Sequence, residues 1–124
     1  MIPDAKSYYN QGVTSSMHQP SISIKLPEWI NKEIEKNVLF SSDQQKMQFV
    51  INCGIQNVKF QTGGPFAAAI FNATTHELIA PGVNVVVASH CSLAHAEMMA
   101  IGIAQQKLGS FELGKDTELF TSTA

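Results

Sequence analysis

Arginine is missing from this sequence; all eight basic residues are lysines. Recognition of phosphate favours the planar, bidentate guanidinium, and tight polynucleotide binding needs clustered positive charge. The lysines are scattered and the net charge is −2, so nucleic acid is an unexpected partner and a neutral small molecule a better one. Cysteine is scarce as well. Cys53 and Cys91 are the only two, too few for a disulfide scaffold. No apolar run approaches the roughly 20 residues that cross a bilayer, so no membrane association is expected. The opening MIPDAK has no charged-then-apolar signal layout, which leaves the cytoplasm as the expected compartment.

What is present suits one domain with a modest core: 124 residues, 44% apolar and 15% charged. Residues 1–26 read as an arm or loose tail, with SISIK (21–25) alternating as a short edge strand would. From Pro27 the spacing of Ile30, Ile34 and Val38 predicts a short amphipathic helix. Ser42 followed by Gln45 is a capping-box pattern and opens a predicted helix over 43–60, with Met47, Val50, Ile51, Gly54, Ile55 and Val58 on one face. TGGP breaks it.

PFAAAIFN then reads as a buried strand, ATTHE as a turn, and LIAPGVNVVVAS as a second strand with a bulge or bend at Pro81-Gly82. The short connection implies an antiparallel hairpin. AHAEMMAIGIAQQKLG reads as a helix with Met98, Ile101, Ala104 and Leu108 inward and Gly109 as its stop. DTELFTSTA is a third strand. The order helix, helix, strand, strand, helix, strand defines an α/β sheet protein, with 27–124 in a single domain.

His95 and Glu97 stand out in CSLAHAEMMA. Within a helix, residues two apart point roughly 200° from one another; at a helix start both side chains can reach a site lying on the axis beyond it. On composition alone, a packed core histidine beside an acid favoured by the helix dipole is the weightier reading. The position after a buried strand of an α/β sheet, where ligands gather, favours a site. Cys91 and His95 stand four apart, a metal-chelating spacing if both were helical; the blander alternative places Cys91 under the loop and Cys53 in the core. His18, His76 and His90 read as surface, turn or loop residues, and Trp29 as a packing anchor.

The series GGPFAAAIF, GVNVVV, LAHAEMMAIGIAQQKLG and ELFTS resembles the zinc-dependent cytidine and deoxycytidylate deaminase superfamily, most of all its guanine deaminase-like branch and the tRNA-adenosine relatives, over roughly residues 42–124. The resemblance implies a three-layer αβα sandwich around a mixed sheet. It implies His95 as a Zn²⁺ ligand and Glu97 as proton shuttle. Asn84, Phe66 and the Ala96 backbone N–H would contact a nucleobase. It implies a homodimer, with swapped elements as one way of completing it. The family signature H-x-E…P-C-x-x-C has its first half in His95-Ala96-Glu97, and the sequence ends at FTSTA, where P-C-x-x-C would follow. The expectation is therefore a segment of a longer deaminase. Open alternatives are deamination of tRNA adenosine or of a nucleoside, and an inactive deaminase-like binding module.

Overall fold

In a computed structural model, residues 19–36 and 40–122 are described. Their elements run α1 (Trp29–Lys36), α2 (Asp43–Lys59), β1 (Ala67–Asn72), β2 (Leu78–Val83), α3 (Val86–Ser89), α4 (Ala96–Leu108) and β3 (Thr117–Thr121). The expected arm falls largely in residues 1–18, outside the described set, as do Val38 and His18. Residues 21–25 form no strand and pair with none among the described residues.

The sheet order is β2-β1-β3, with β1 in the centre and antiparallel to both neighbours. All pairings among the described strands are antiparallel, so the parallel pairs of a mixed sheet are not among them. Central β1 reads as a continuous apolar run because both its faces are covered. Ala67, Ala69 and Phe71 join Phe49, Val50 and Cys53 of α2 and Ile30 of α1 in one core. Ala68 and Ile70 face the other way, onto Ala96, Ala100 and Ala104 of α4. Helices thus cover both faces, which makes three layers and matches a deaminase-like fold.

Several local expectations change. The second strand stops at Val83, and Val86–Ser89 form a short helix instead. Asn84 is the cause: its Oδ1 accepts the Val86 N–H at 3.2 Å and turns the chain. The register shift lies between Ile70 and Phe71, facing the Leu78–Ala80 segment, whereas Pro81 and Gly82 pair regularly with Ala69 and Ala68. Pro81 is tolerated on a strand bordered by β1 alone. Gly82 serves packing: a Cβ there would lie 2.2 Å from the Ala96 carbonyl oxygen and 2.6 Å from the Ala100 nitrogen.

The inner faces of α2 and α4 are also rotated. Lys46, Phe49, Val50, Cys53, Gly54 and Asn57 are the buried residues of α2, while Ile51, Ile55 and Val58 are exposed. In α4 the buried set is Ala96, Met99, Ala100 and Ala104, and Met98 and Leu108 point outward. The predicted ends hold better. Ser42 Oγ accepts the Gln45 N–H at 3.2 Å. The Gln45 side chain turns back to Ser41, one residue short of the reciprocal capping bond. Gly109 closes α4 at φ 68°.

Lys46 is buried at the end of the hairpin where β1 turns into β2. Its Nζ donates to Glu118 Oε1 of β3 and, at 2.8 Å, to Nδ1 of His76 in the turn. It also lies 5.5 Å from the Phe71 ring centroid and 5.8 Å from that of Phe120. Glu118 keeps partial solvent contact; Lys46 does not. Removing the acid strands a buried cation, whereas removing the lysine leaves an acid that water can solvate. Urea unfolding is expected to show Glu118→Ala costing about 3 kcal/mol and Lys46→Met less than about half of that. Equal costs would contradict this account. Gly82→Ala is expected to cost about 2–3 kcal/mol by overpacking, and Gly102→Ala, whose Cβ meets nothing within 4 Å, to add up to about 1 kcal/mol.

Candidate active site

The candidate residues gather at the other end of the hairpin, because antiparallel pairing places the start of β1 beside the end of β2. Ala67 faces Val83. Phe66 and Asn84 flank that pair, and the Asn84 N–H donates to the Phe66 carbonyl at 3.2 Å. The next residue brings in the helix: the Val85 N–H donates to the Ala94 carbonyl at 3.0 Å. Together with the close approach at Gly82, this sets the first turn of α4 over the end of β2.

His95 is the N-cap of α4, with φ −71° and ψ 155°, and its side chain makes no capping hydrogen bond. It is exposed, which disposes of the packed-core alternative. Glu97 follows in the first turn, partly buried, where the helix dipole favours its charge. Ala96 is buried between them, and its N–H belongs to the first turn, whose amides have no intrahelical partner. Phe66 packs partly against the alanine-rich core under α4. Asn84 spends its Oδ1 on Val86, so its amide Nδ2 remains as the donor group for a ligand. The five sequence candidates thus lie on three adjoining backbone segments.

Three residues that sequence reasoning passed over hold this end together. Asn57 of α2, fully buried, donates through Nδ2 to the Gly64 carbonyl at 2.8 Å and to the Asn84 carbonyl at 2.9 Å. Thr62 Oγ1 donates to Asn57 Oδ1 at 2.6 Å and accepts the Trp29 indole N–H at 2.9 Å. Gly63 leaves room for the arrangement, since a Cβ there would sit 1.9 Å from the Asn84 oxygen. The glycine pair in TGGP was the one available signal; an asparagine inside a helical run gives none. Trp29 is a packing anchor as expected, stacked on Phe60 at 6.0 Å.

Zinc is the metal that the resemblance implies. Among the described residues no group of three or more His, Cys, Asp or Glu side chains is placed to hold a metal ion. Cys91 sits in the turn before α4, its carbonyl accepting the Ala94 N–H at 3.1 Å, so the four-residue spacing to His95 is not helical. Cys53 is buried in α2, and burial, followed by the nearby Glu33 carboxylate, pushes its thiol up to about 12. Neither cysteine belongs to a group of three or more potential metal ligands among the described residues. The described residues therefore offer His95 as a single donor and do not complete a zinc site. Two cavities lie along neighbouring segments, and none of the five candidates lines either. One of about 370 Å³ lies between Ile24, Pro27, Thr62 and Val85; another of about 410 Å³ lies beside Ile22, Leu93, Met98 and Ile103.

The architecture defines the class first: a deaminase-like α/β sandwich with its candidate site where a helix start meets the end of a hairpin. The chain is then similar to guanine deaminases of known structure. That from Nitrosomonas europaea is 34% identical, with a TM-score of 0.75 over 85% of this chain and 59% of its own. That from Bacillus subtilis is 33% identical, with a TM-score of 0.62 over 65% of this chain and 50% of its own. A deaminase acting at the wobble position of transfer RNA is 20% identical with a TM-score of 0.57 over 64% of this chain and 58% of its own, a likeness of fold alone. These neighbours support the cytidine deaminase-like superfamily. This chain spans 59% of the length of the N. europaea protein. No family model and no curated sequence matches it.

Thiol chemistry checks the placement of the two cysteines. In the native protein Cys91 is expected to react with iodoacetamide while Cys53 resists until unfolding. For Cys53 the folded thiol titrates near 12 against 9.0 for an ordinary one. The stability this represents is complete below about pH 9 and is lost as pH rises from about 9 towards 12, where the unfolded state releases a proton that the folded state keeps. Denaturant unfolding across that range should show this slope in the parent protein and a weaker one in Cys53→Ala. Equal slopes would place Cys53 outside the core.

Proposed function

We propose that the protein catalyses zinc-dependent hydrolytic deamination of a nucleobase, guanine or a close analogue. The observation that carries the reading is the convergence of Phe66, Asn84 and His95-Ala96-Glu97 at one end of the sheet through the Asn84-to-Phe66 and Val85-to-Ala94 hydrogen bonds. Its support comes from guanine deaminase neighbours, one of them, the protein NE0047, solved with 8-azaguanine and also with 2,6-diaminopurine. In the reaction one water is consumed, the ring C–NH₂ becomes C=O, and ammonia leaves. Glu97 takes one proton from the water and gives it to the ring nitrogen, then carries the second, from the added hydroxyl, to the departing amine. Asn84 Nδ2 and the Ala96 N–H orient the base, and Phe66 packs near its ring. Bound zinc supplies a more acidic water. His95 is its proposed ligand, and the remaining ligands are proposed to come from outside residues 19–122 or from a second copy of the chain. A homodimer in the cytoplasm is part of the same reading.

Full-length, zinc-supplied protein is expected to release ammonia from guanine, with Glu97→Ala lowering kcat by about 10²–10⁴-fold. Absence of ammonia from every base and nucleoside tried would defeat the reading. A base-binding module without catalysis is the second reading, favoured by the lack of a metal cluster among the described residues. Metal analysis separates the two, since stoichiometric zinc lost in His95→Ala supports the enzyme. The tRNA alternative predicts salt-sensitive RNA binding, against which stand the absence of arginine and the net charge of −2.

A further inference from the structure

We propose that Asn57 is a positioning residue for base recognition: from beneath the site it sets where Asn84 and the Phe66 loop stand. The inference rests on the nucleobase reading above. Asn57 is fully buried, and its action on a ligand passes through Asn84.

A carboxamide has two N–H donors and one carbonyl acceptor. At Asn57 all are engaged. Both Nδ2 hydrogens meet carbonyls, those of Gly64 at 2.8 Å and Asn84 at 2.9 Å. Oδ1 receives the Thr62 hydroxyl at 2.6 Å. The amide has one orientation, because reversing it would set Oδ1 against two carbonyl oxygens. Gly64 stands two residues before Phe66, and Asn84 is the residue that spends Oδ1 on Val86 and keeps Nδ2 for a ligand. One buried amide therefore clamps the two segments that carry the base-contacting candidates. The clamp is tight: at Gly63 an added Cβ would lie 1.9 Å from the Asn84 oxygen and 2.6 Å from Asn57 Nδ2. Its outer end is held by the Trp29 indole N–H on Thr62 Oγ1 at 2.9 Å, and Trp29 is the sole tryptophan, so its emission reports on the same network.

The experiment compares Asn57→Asp, Thr62→Val, Thr62→Ser and Glu118→Ala in the full-length protein with guanine. Asn57→Asp keeps the shape and turns an oxygen onto both carbonyls. It is expected to raise KM about tenfold or more while kcat falls less than about threefold, the signature of lost binding orientation rather than lost chemistry. Amide hydrogen exchange at Asn84, whose N–H bonds to Phe66, is expected to quicken in parallel. Glu118→Ala loosens the opposite end of the hairpin; it is expected to leave KM unchanged and to quicken Asn84 exchange only in step with the other sheet amides, as a loss of global stability does. Thr62→Val removes the bond that orients Oδ1 and should raise KM by about threefold with altered Trp29 emission; Thr62→Ser restores both. That pair decides the matter if Asn57→Asp does not fold.

A KM or Asn84 exchange rate in Asn57→Asp equal to the parent's overturns the proposal. So does a Glu118→Ala variant with the same KM rise, or Thr62→Val and Thr62→Ser behaving alike. If the parent protein deaminates nothing, the functional reading fails by itself, and Asn84 exchange then supports or overturns the clamp alone.

Discussion

The contact on which the site depends is the approach of β2 to the first turns of α4 at Gly82. Any side chain there would run into the Ala96 carbonyl and the Ala100 nitrogen. Alanines at 96, 100 and 104 complete the close packing. With the helix held this near, its first turn stands beside the end of β2, next to the segments of Phe66 and Asn84. Small residues are the means by which the helix start and the end of the hairpin come this close.

Hydrophobic pattern made the backbone plan legible because it reports burial. PFAAAIF has no polar residue, and the structure covers β1 on both faces. The hairpin followed from the short ATTHE connection, and the ends of α2 and α4 followed from Ser42 and Gly109, whose local chemistry depends on nothing distant. The helix start beside the candidate pair was legible to within two residues: AHAEMMAIGIAQQKLG puts it at Ala94, and Ala96 is the first residue of α4 with His95 as its N-cap. What failed had a tertiary cause. The valines of VNVVVAS favour a strand, yet Asn84 captures the Val86 N–H and the chain coils into α3. The α4 stripe was misjudged because large residues were assumed to face inward, whereas the close contact at Gly82 admits only alanine.

The helix α2 shows the same lesson in polar form. Its exposed Ile51, Ile55 and Val58 make a plausible apolar face, and its true buried face includes a lysine and an asparagine. Those two stand eleven positions apart, within about 20° of each other around the helix at 100° per residue, so they mark one face at its two ends. Phe49, Val50, Cys53 and Gly54 fill the middle. Apolar content alone does not choose between the two faces. The polar ends do, because each has its partners in one orientation only: Lys46 meets Glu118 and His76 at one end of the hairpin, and Asn57 meets Gly64, Asn84 and Thr62 at the other.

Rotation of α2 by one residue would therefore bury a different pair of polar groups without partners, or leave Lys46 and Asn57 in water and their acceptors unpaired. An unpaired buried carbonyl costs about 1–3 kcal/mol, and Asn57 alone serves two. Apolar residues stabilise the layer whichever way the helix turns, while the buried polar ends select the turn and so align both ends of the hairpin against α2. The end with the charged cluster anchors β3 and the hairpin turn. The end with the neutral amide anchors the segments of Phe66 and Asn84. A neutral clamp suits that second place, because it fixes both segments through hydrogen bonds without burying a charge there.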